Sequence, residues 1–148
     1  MYALMKLLHL FAAIVWLGGI SFMLYALRPT ATALMQAPER LTLTAAVLQR
    51  FFIMVWLTIA LLLLSGVYML TSVGMKNAPA GWHVMLTLGL VMMALFGHLY
   101  FGPFRRLKLA VVASNWEEAG RRAGQVSTLA ATNLALGAIA ISGVILLV

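Results

Sequence analysis

The chain has 148 residues, of which 64% are hydrophobic and 9% charged, and a mean hydropathy of +1.05 excludes a soluble globule. Ten Lys and Arg against three Asp and Glu give a formal charge of +7, whose meaning depends on where the charges sit relative to a membrane. The absence of cysteine removes disulfides, iron–sulfur clusters, thiolate zinc sites and cysteine nucleophiles, and leaves metal chemistry to His, Met, Tyr or backbone oxygen.

Apolar runs of the length needed to cross about 30 Å of hydrocarbon occur at Leu4–Leu27, Phe51–Val73, Trp82–Phe101 and Val126–Val148. The expected fold is therefore all-α, one transmembrane domain folded as an integral membrane four-helix bundle. Ala31-Thr32-Ala33 imitates a signal-peptide cleavage site. The first run exceeds an ordinary signal-peptide core, however, and Arg28-Pro29 closes it like a stop-transfer flank, so this span is expected to be retained. Arg28, Arg40 and Arg50 follow the first span and Arg105, Arg106, Lys108, Arg121 and Arg122 follow the third, whereas the other side carries only Lys6 and Lys76. This asymmetry predicts both termini on the periplasmic or extracellular side of a bacterial inner membrane, with two longer basic loops in the cytoplasm. The charge thus reads as topology, and nucleic acid is excluded as a partner.

Helix punctuation refines the layout. Pro38-Glu39 suggests that the second helix begins inside the cytoplasm, and Pro103 marks the exit of the third. Phe104–Val112 follows as a basic flank facing anionic headgroups. Ser114-Asn115-Trp116-Glu117 has the form of a capping box starting the last helix before the membrane. Ser127, Ala131, Ala135, Ala138 and Ser142 recur at helical spacing and are expected to form the packing face of that helix, and Gly18-Gly19 to serve close packing or make room for a flat ring.

No carboxylate lies in any span, which disfavours an ion-coupled transporter. No G-x-S-x-G, H-E-x-x-H or phosphate-loop pattern is present either. The chemistry therefore falls to His9, His83, His98 and Asn133, with Trp16 two turns beyond His9. At ~1.5 Å per residue, His9 sits about 8 Å inside the first span, and His83 opens the third at comparable depth. Two imidazoles from packed helices can hold haem b iron, with Trp16, Gly18 and Gly19 lining the slot. His98 lies roughly 22 Å further along its helix and belongs near the other boundary. Asn133 is expected to bond a neighbouring helix, with a cofactor propionate as the other use. The first reading is accordingly a haem protein with a role in electron transfer or haem handling. It leaves open a haem-dependent oxidoreductase activity, a quinone or periplasmic redox partner, and self-association. The alternative reading is Cu(I), which suits imidazole and thioether ligands, on Met5, His9, His83 and Met85. A third is an accessory subunit without cofactor.

Leu7-Leu8-His9-Leu10 with Val15-Trp16-Leu17-Gly18-Gly19 and Arg28-Pro29 resembles the opening helix of CopD-like membrane proteins. Arg50-Phe51-Phe52, Ser65-Gly66, Gly81-Trp82-His83, Gly97-His98, Phe104-Arg105-Arg106 and Asn133-Leu134-Ala135-Leu136-Gly137 extend the likeness over almost the whole chain. The resemblance implies a four-helix membrane protein with a link to copper resistance or uptake. The chain is more distantly similar to HemJ-type haem-binding membrane proteins, but Met85 stands about where their third helix carries a lysine.

Overall fold

The computed structural model describes residues 1–147; Val148, the last residue of the fourth expected span, lies outside the described residues. Four long helices account for nearly all of it: α1 (Tyr2–Leu34), α2 (Ala37–Val73), α3 (Ala80–Val112) and α4 (Trp116–Leu146). All four are apolar and long enough to cross a membrane. At 1.5 Å per residue a 33-residue helix runs about 50 Å, well beyond the ~30 Å hydrocarbon core. The two stretches expected as cytoplasmic loops are in fact helical. Pairs of helices continue past the apolar spans and turn through residues 35–36 and 113–115 only.

Two prolines expected to end helices lie inside them instead. Residues Met23–Leu27 of α1 and Tyr100–Phe104 of α3 are wound as π-helix, next to Pro29 and around Pro103. Proline lacks an N–H and its ring crowds the carbonyl one turn back. A locally widened turn accommodates both defects without stopping the helix. The Phe104–Val112 segment continues α3 along the bundle. Phe104 and Leu107 are fully buried against it, and Arg105, Arg106, Leu109 and Val112 face outward.

The turn between α3 and α4 is a Schellman motif. Asn115 N–H donates to Ala110 O at 2.9 Å and Ser114 N–H to Val111 O at 3.1 Å, with Ser114 in the left-handed region at φ 54°. Ser114 is thereby used up in closing α3. The cap of α4 is Asn115, whose side chain accepts from Glu118 N–H at 3.3 Å, one residue later than the capping-box pattern suggests.

Sequential helices pair into two hairpins, α1 with α2 and α3 with α4, and both termini lie at one end, where Gly81 N–H donates to Leu147 O at 3.1 Å. At that end Gly81 meets the backbone of Gly143 so closely that no Cβ fits between α3 and α4. Toward the basic end the hairpins lock together through Leu48, Phe52, Val55, Phe96, Leu99, Phe104, Leu107 and Val126. Edge-on aromatic contacts run through this region, with Phe52 at 4.7 Å from Phe104 and 5.3 Å from Phe96, and Trp16 at 6.1 Å from Phe96. Such pairs add about 0.5–1.5 kcal/mol each beyond area burial. Lys108 Nζ completes the join, donating to Gln49 Oε1 at 3.0 Å and lying 4.8 Å from the Phe104 ring centre.

The outward face is apolar: Ile14 is 64% exposed and Leu64 71%, as expected where lipid is the solvent. Of the expected small-residue stripe, Ser127 is buried, whereas Ala131, Ala135, Ala138 and Ser142 face outward. The packed face of α4 consists of Ala119, Val126, Ser127, Ala130, Asn133, Gly137 and Ala140. Gly137 receives the Leu17 side chain in the space a Cβ would occupy.

Candidate metal-binding cavity

In the half of the bundle nearer the termini the two hairpins separate, leaving a cavity of about 300 Å³ lined by all four helices. It extends from Tyr2 and Lys6 near the helix ends to Trp16 and Met92, where the aromatic layer begins. On α1, His9 and Trp16 lie seven residues apart and so share a face. On α3 the lining residues Trp82, Met85, Gly89, Met92 and Met93 recur at three- and four-residue steps. Met69 joins them from α2. The cavity thus gathers one imidazole and four thioethers within apolar walls.

His9 is the most constrained of these groups. Its Nδ1 lies 2.9 Å from Ser65 Oγ on α2, and Ser65 Oγ donates its own proton to Leu61 O at 2.5 Å. With the hydroxyl proton on Leu61 O, the Ser65 oxygen is an acceptor for the Nδ1-protonated tautomer of His9, the one in which Nε2 keeps its lone pair. Gly66, adjacent to Ser65, lies beside the ring, and a Cβ there would be in ordinary contact with His9 Cε1 at 3.4 Å. A tautomer fixed by an outer partner is the arrangement by which proteins orient metal-ligating histidines.

The structure brings His9, Trp16 and Met85 together and leaves the other expected site residues apart. His83 is exposed and lies outside the cavity lining, so the two imidazoles do not face each other as a haem pair. Met5 is half-buried one turn from His9, beside the lining face rather than on it. Gly18 faces outward with open space around it, while Gly19 abuts the Phe51 ring and serves the α1–α2 contact, making no room for a flat ring. His98 is exposed on the far half of α3. Asn133 is buried and its Nδ2 donates to Met92 O at 3.2 Å, a helix-to-helix bond that leaves Oδ1 without a partner among the described residues.

In the sequence Ser65-Gly66 stands out only as part of the family likeness, and Met69, Met92 and Met93 are not singled out. The signal available for the methionines was phase. Met85, Met92 and Met93 sit at i, i+7 and i+8 on one helix, which places them on one face. Among the described residues no three His, Cys, Asp or Glu gather to hold a metal ion; the side-chain donors of the cavity wall include one imidazole and four thioethers.

The fold and its cavity define a polytopic membrane protein built as a four-helix bundle. The chain belongs to the CopD family: the family model described as copper resistance protein D matches residues 45–147. No curated protein and no solved structure matches it.

Proposed function

We propose that the protein binds Cu(I) as cargo in the cavity between its hairpins, with His9 Nε2 and the thioethers of Met85, Met92, Met69 and Met93 as the donor set. The observation that carries this reading is the His9–Ser65–Leu61 hydrogen-bond chain on the wall of a cavity lined by four thioethers, which supports the tautomer with Nε2 unprotonated. Imidazole with thioether is a donor set that suits Cu(I). Membership of the copper resistance protein D family points the same way.

Each donor is neutral, so the ion carries its single charge into an apolar site and gains only what the ligands return. Lys6 also lines the cavity, and its ammonium repels a hydrated cation. That favours delivery by ligand exchange, one soft donor for another, over entry of the aqueous ion. The aromatic layer of Trp16, Phe96, Phe52 and Phe104 closes the inner end. The cavity is therefore a binding chamber blocked toward the basic end, and passage to the other side would require the layer to move.

Replacing Met69, Met85, Met92 and Met93 together by Leu conserves apolar volume. It is expected to lower Cu(I) affinity of the purified protein by at least about 100-fold, more than loss of an outer-sphere partner costs, in a competition titration against a colorimetric Cu(I) chelator. Unchanged affinity in the folded quadruple variant would remove the chamber from consideration.

The basic asymmetry gives the proposal a direction. With Arg and Lys concentrated at the end opposite the termini, the chamber faces the periplasm of a bacterial inner membrane. A C-terminal alkaline phosphatase fusion is expected to be active; an inactive phosphatase with an active cytoplasmic reporter at the same position would reverse the orientation.

A further inference from the structure

A second cavity, of about 230 Å³, lies at the basic end between α1, α2 and α4, distinct from the metal chamber in its residues and its chemistry. Arg28 of α1 and Arg40 of α2 both line it, and no carboxylate does. The ion pairs among the described residues are those of Glu118 with Arg121 and Arg122, so Arg28 and Arg40 have no acidic partner there. Thr32 and Thr44 also line the cavity, but their hydroxyls donate to Arg28 O and Arg40 O, each at 2.8 Å. The donors left to a ligand are the two guanidiniums and, on the wall supplied by α4, the hydroxyl of Ser127. Beneath them the walls are apolar: Met23, Leu41 and Leu48 are all buried.

Two cations from different helices directed at one cavity repel each other unless an anion lies between them. Guanidinium is the side chain best matched to a phosphate group. A free phosphate ion would prefer a polar floor, whereas an amphiphile places its phosphate on the arginines and its hydrocarbon on the apolar wall. The widened π-turn Met23–Leu27 lies directly before Arg28 and supplies part of that wall. We propose that this cavity is a binding site for the phosphate group of an anionic lipid, held by Arg28 and Arg40.

The test is native mass spectrometry of the intact detergent-solubilised protein with phosphatidylglycerol and phosphatidylcholine of the same acyl chains. Wild type is expected to retain phosphatidylglycerol over phosphatidylcholine by roughly 10- to 30-fold, from about 1 kcal/mol per basic side chain. Arg28→Gln with Arg40→Gln should abolish the preference, and Arg105→Gln with Arg106→Gln, which removes the same charge from exposed positions outside the cavity, should keep it. Gly120→Phe should also abolish it with both arginines intact, because Gly120 lines the cavity and has open space around it. Equal loss in the two charge-matched double variants, or a preference that survives Gly120→Phe, overturns the site. Displacement of the retained lipid by inorganic phosphate would assign the cavity to the free ion and overturn the lipid assignment.

Discussion

His9→Ala is expected to lower Cu(I) affinity by more than about 100-fold, while Ser65→Ala, which never touches the ion, should lower it by about 10- to 100-fold. The two effects differ in kind. Removing the imidazole deletes a ligand. Removing the Ser65 hydroxyl leaves the ligand in place but frees its ring, so either nitrogen can carry the proton and the ring can leave the orientation that presents Nε2 to the cavity. Ser65→Thr keeps a hydroxyl able to donate to Leu61 O and should restore much of the affinity. His83→Ala should have no effect, because His83 is exposed outside the cavity lining. A competition titration on these four variants checks the prediction, and equal losses in His9→Ala and His83→Ala would restore the paired-imidazole site.

The largest effect on folding is expected at Gly81. A Cβ at this position falls on Gly143 O and close to the backbone of Val144, and backbone cannot rotate away as a side chain can. Gly81→Val must therefore push α3 from α4, with an expected cost of about 1–3 kcal/mol as for other overpacked sites. Gly97→Ala is the matched control, since nothing lies within 4 Å of the Cβ it adds. It should be neutral or stabilising by up to about 1 kcal/mol from helix propensity. Reversible unfolding in mixed micelles separates the two. Trp82 and Met85 lie within one turn of Gly81 and line the chamber, so Gly81→Val should weaken Cu(I) binding as well. A Gly81→Val protein as stable as Gly97→Ala would contradict the close α3–α4 contact.

The number of helices and the apolar core of each span were legible in the sequence because the bilayer imposes a length and a composition that survive without an alignment. The helix ends were less legible. Pro29 and Pro103 carry the chemistry of helix breakers, and whether a π-turn absorbs them depends on neighbours such as Phe104 and Leu107 being held in the bundle. The stripe of Ala131, Ala135, Ala138 and Ser142 has the spacing of an interface, yet Asn133 and Gly137 define the packed face. The Asn133 bond to Met92 O and the seat Gly137 gives Leu17 require their partners to be known.

His83 shows how the candidate site was half read. Depth along the span put it level with His9, but a helix turns about 100° per residue, and the cavity face of α3 passes through Trp82, Met85 and Gly89. One residue of phase separates His83 from that face. Met5 fails in the same way on α1. The contact of Ser65 with His9 was not readable from the sequence. A serine in a membrane helix ordinarily bonds its own backbone, and here it does so while accepting from His9 across 56 residues of sequence. The basic cavity was hidden for a related reason. Arg28 and Arg40 look like topology signals until α1, α2 and α4 are seen to enclose a space between them.

X-ray absorption at the copper edge, on the intact purified protein loaded with Cu(I), tests the central claim most directly. The account predicts a mixed shell of sulfur and a single imidazole, unchanged in His83→Ala and stripped of its imidazole signature in His9→Ala. A shell with two imidazoles that responds to His83→Ala would contradict it, as would a protein that retains no Cu(I) and instead shows the absorption bands of a low-spin haem.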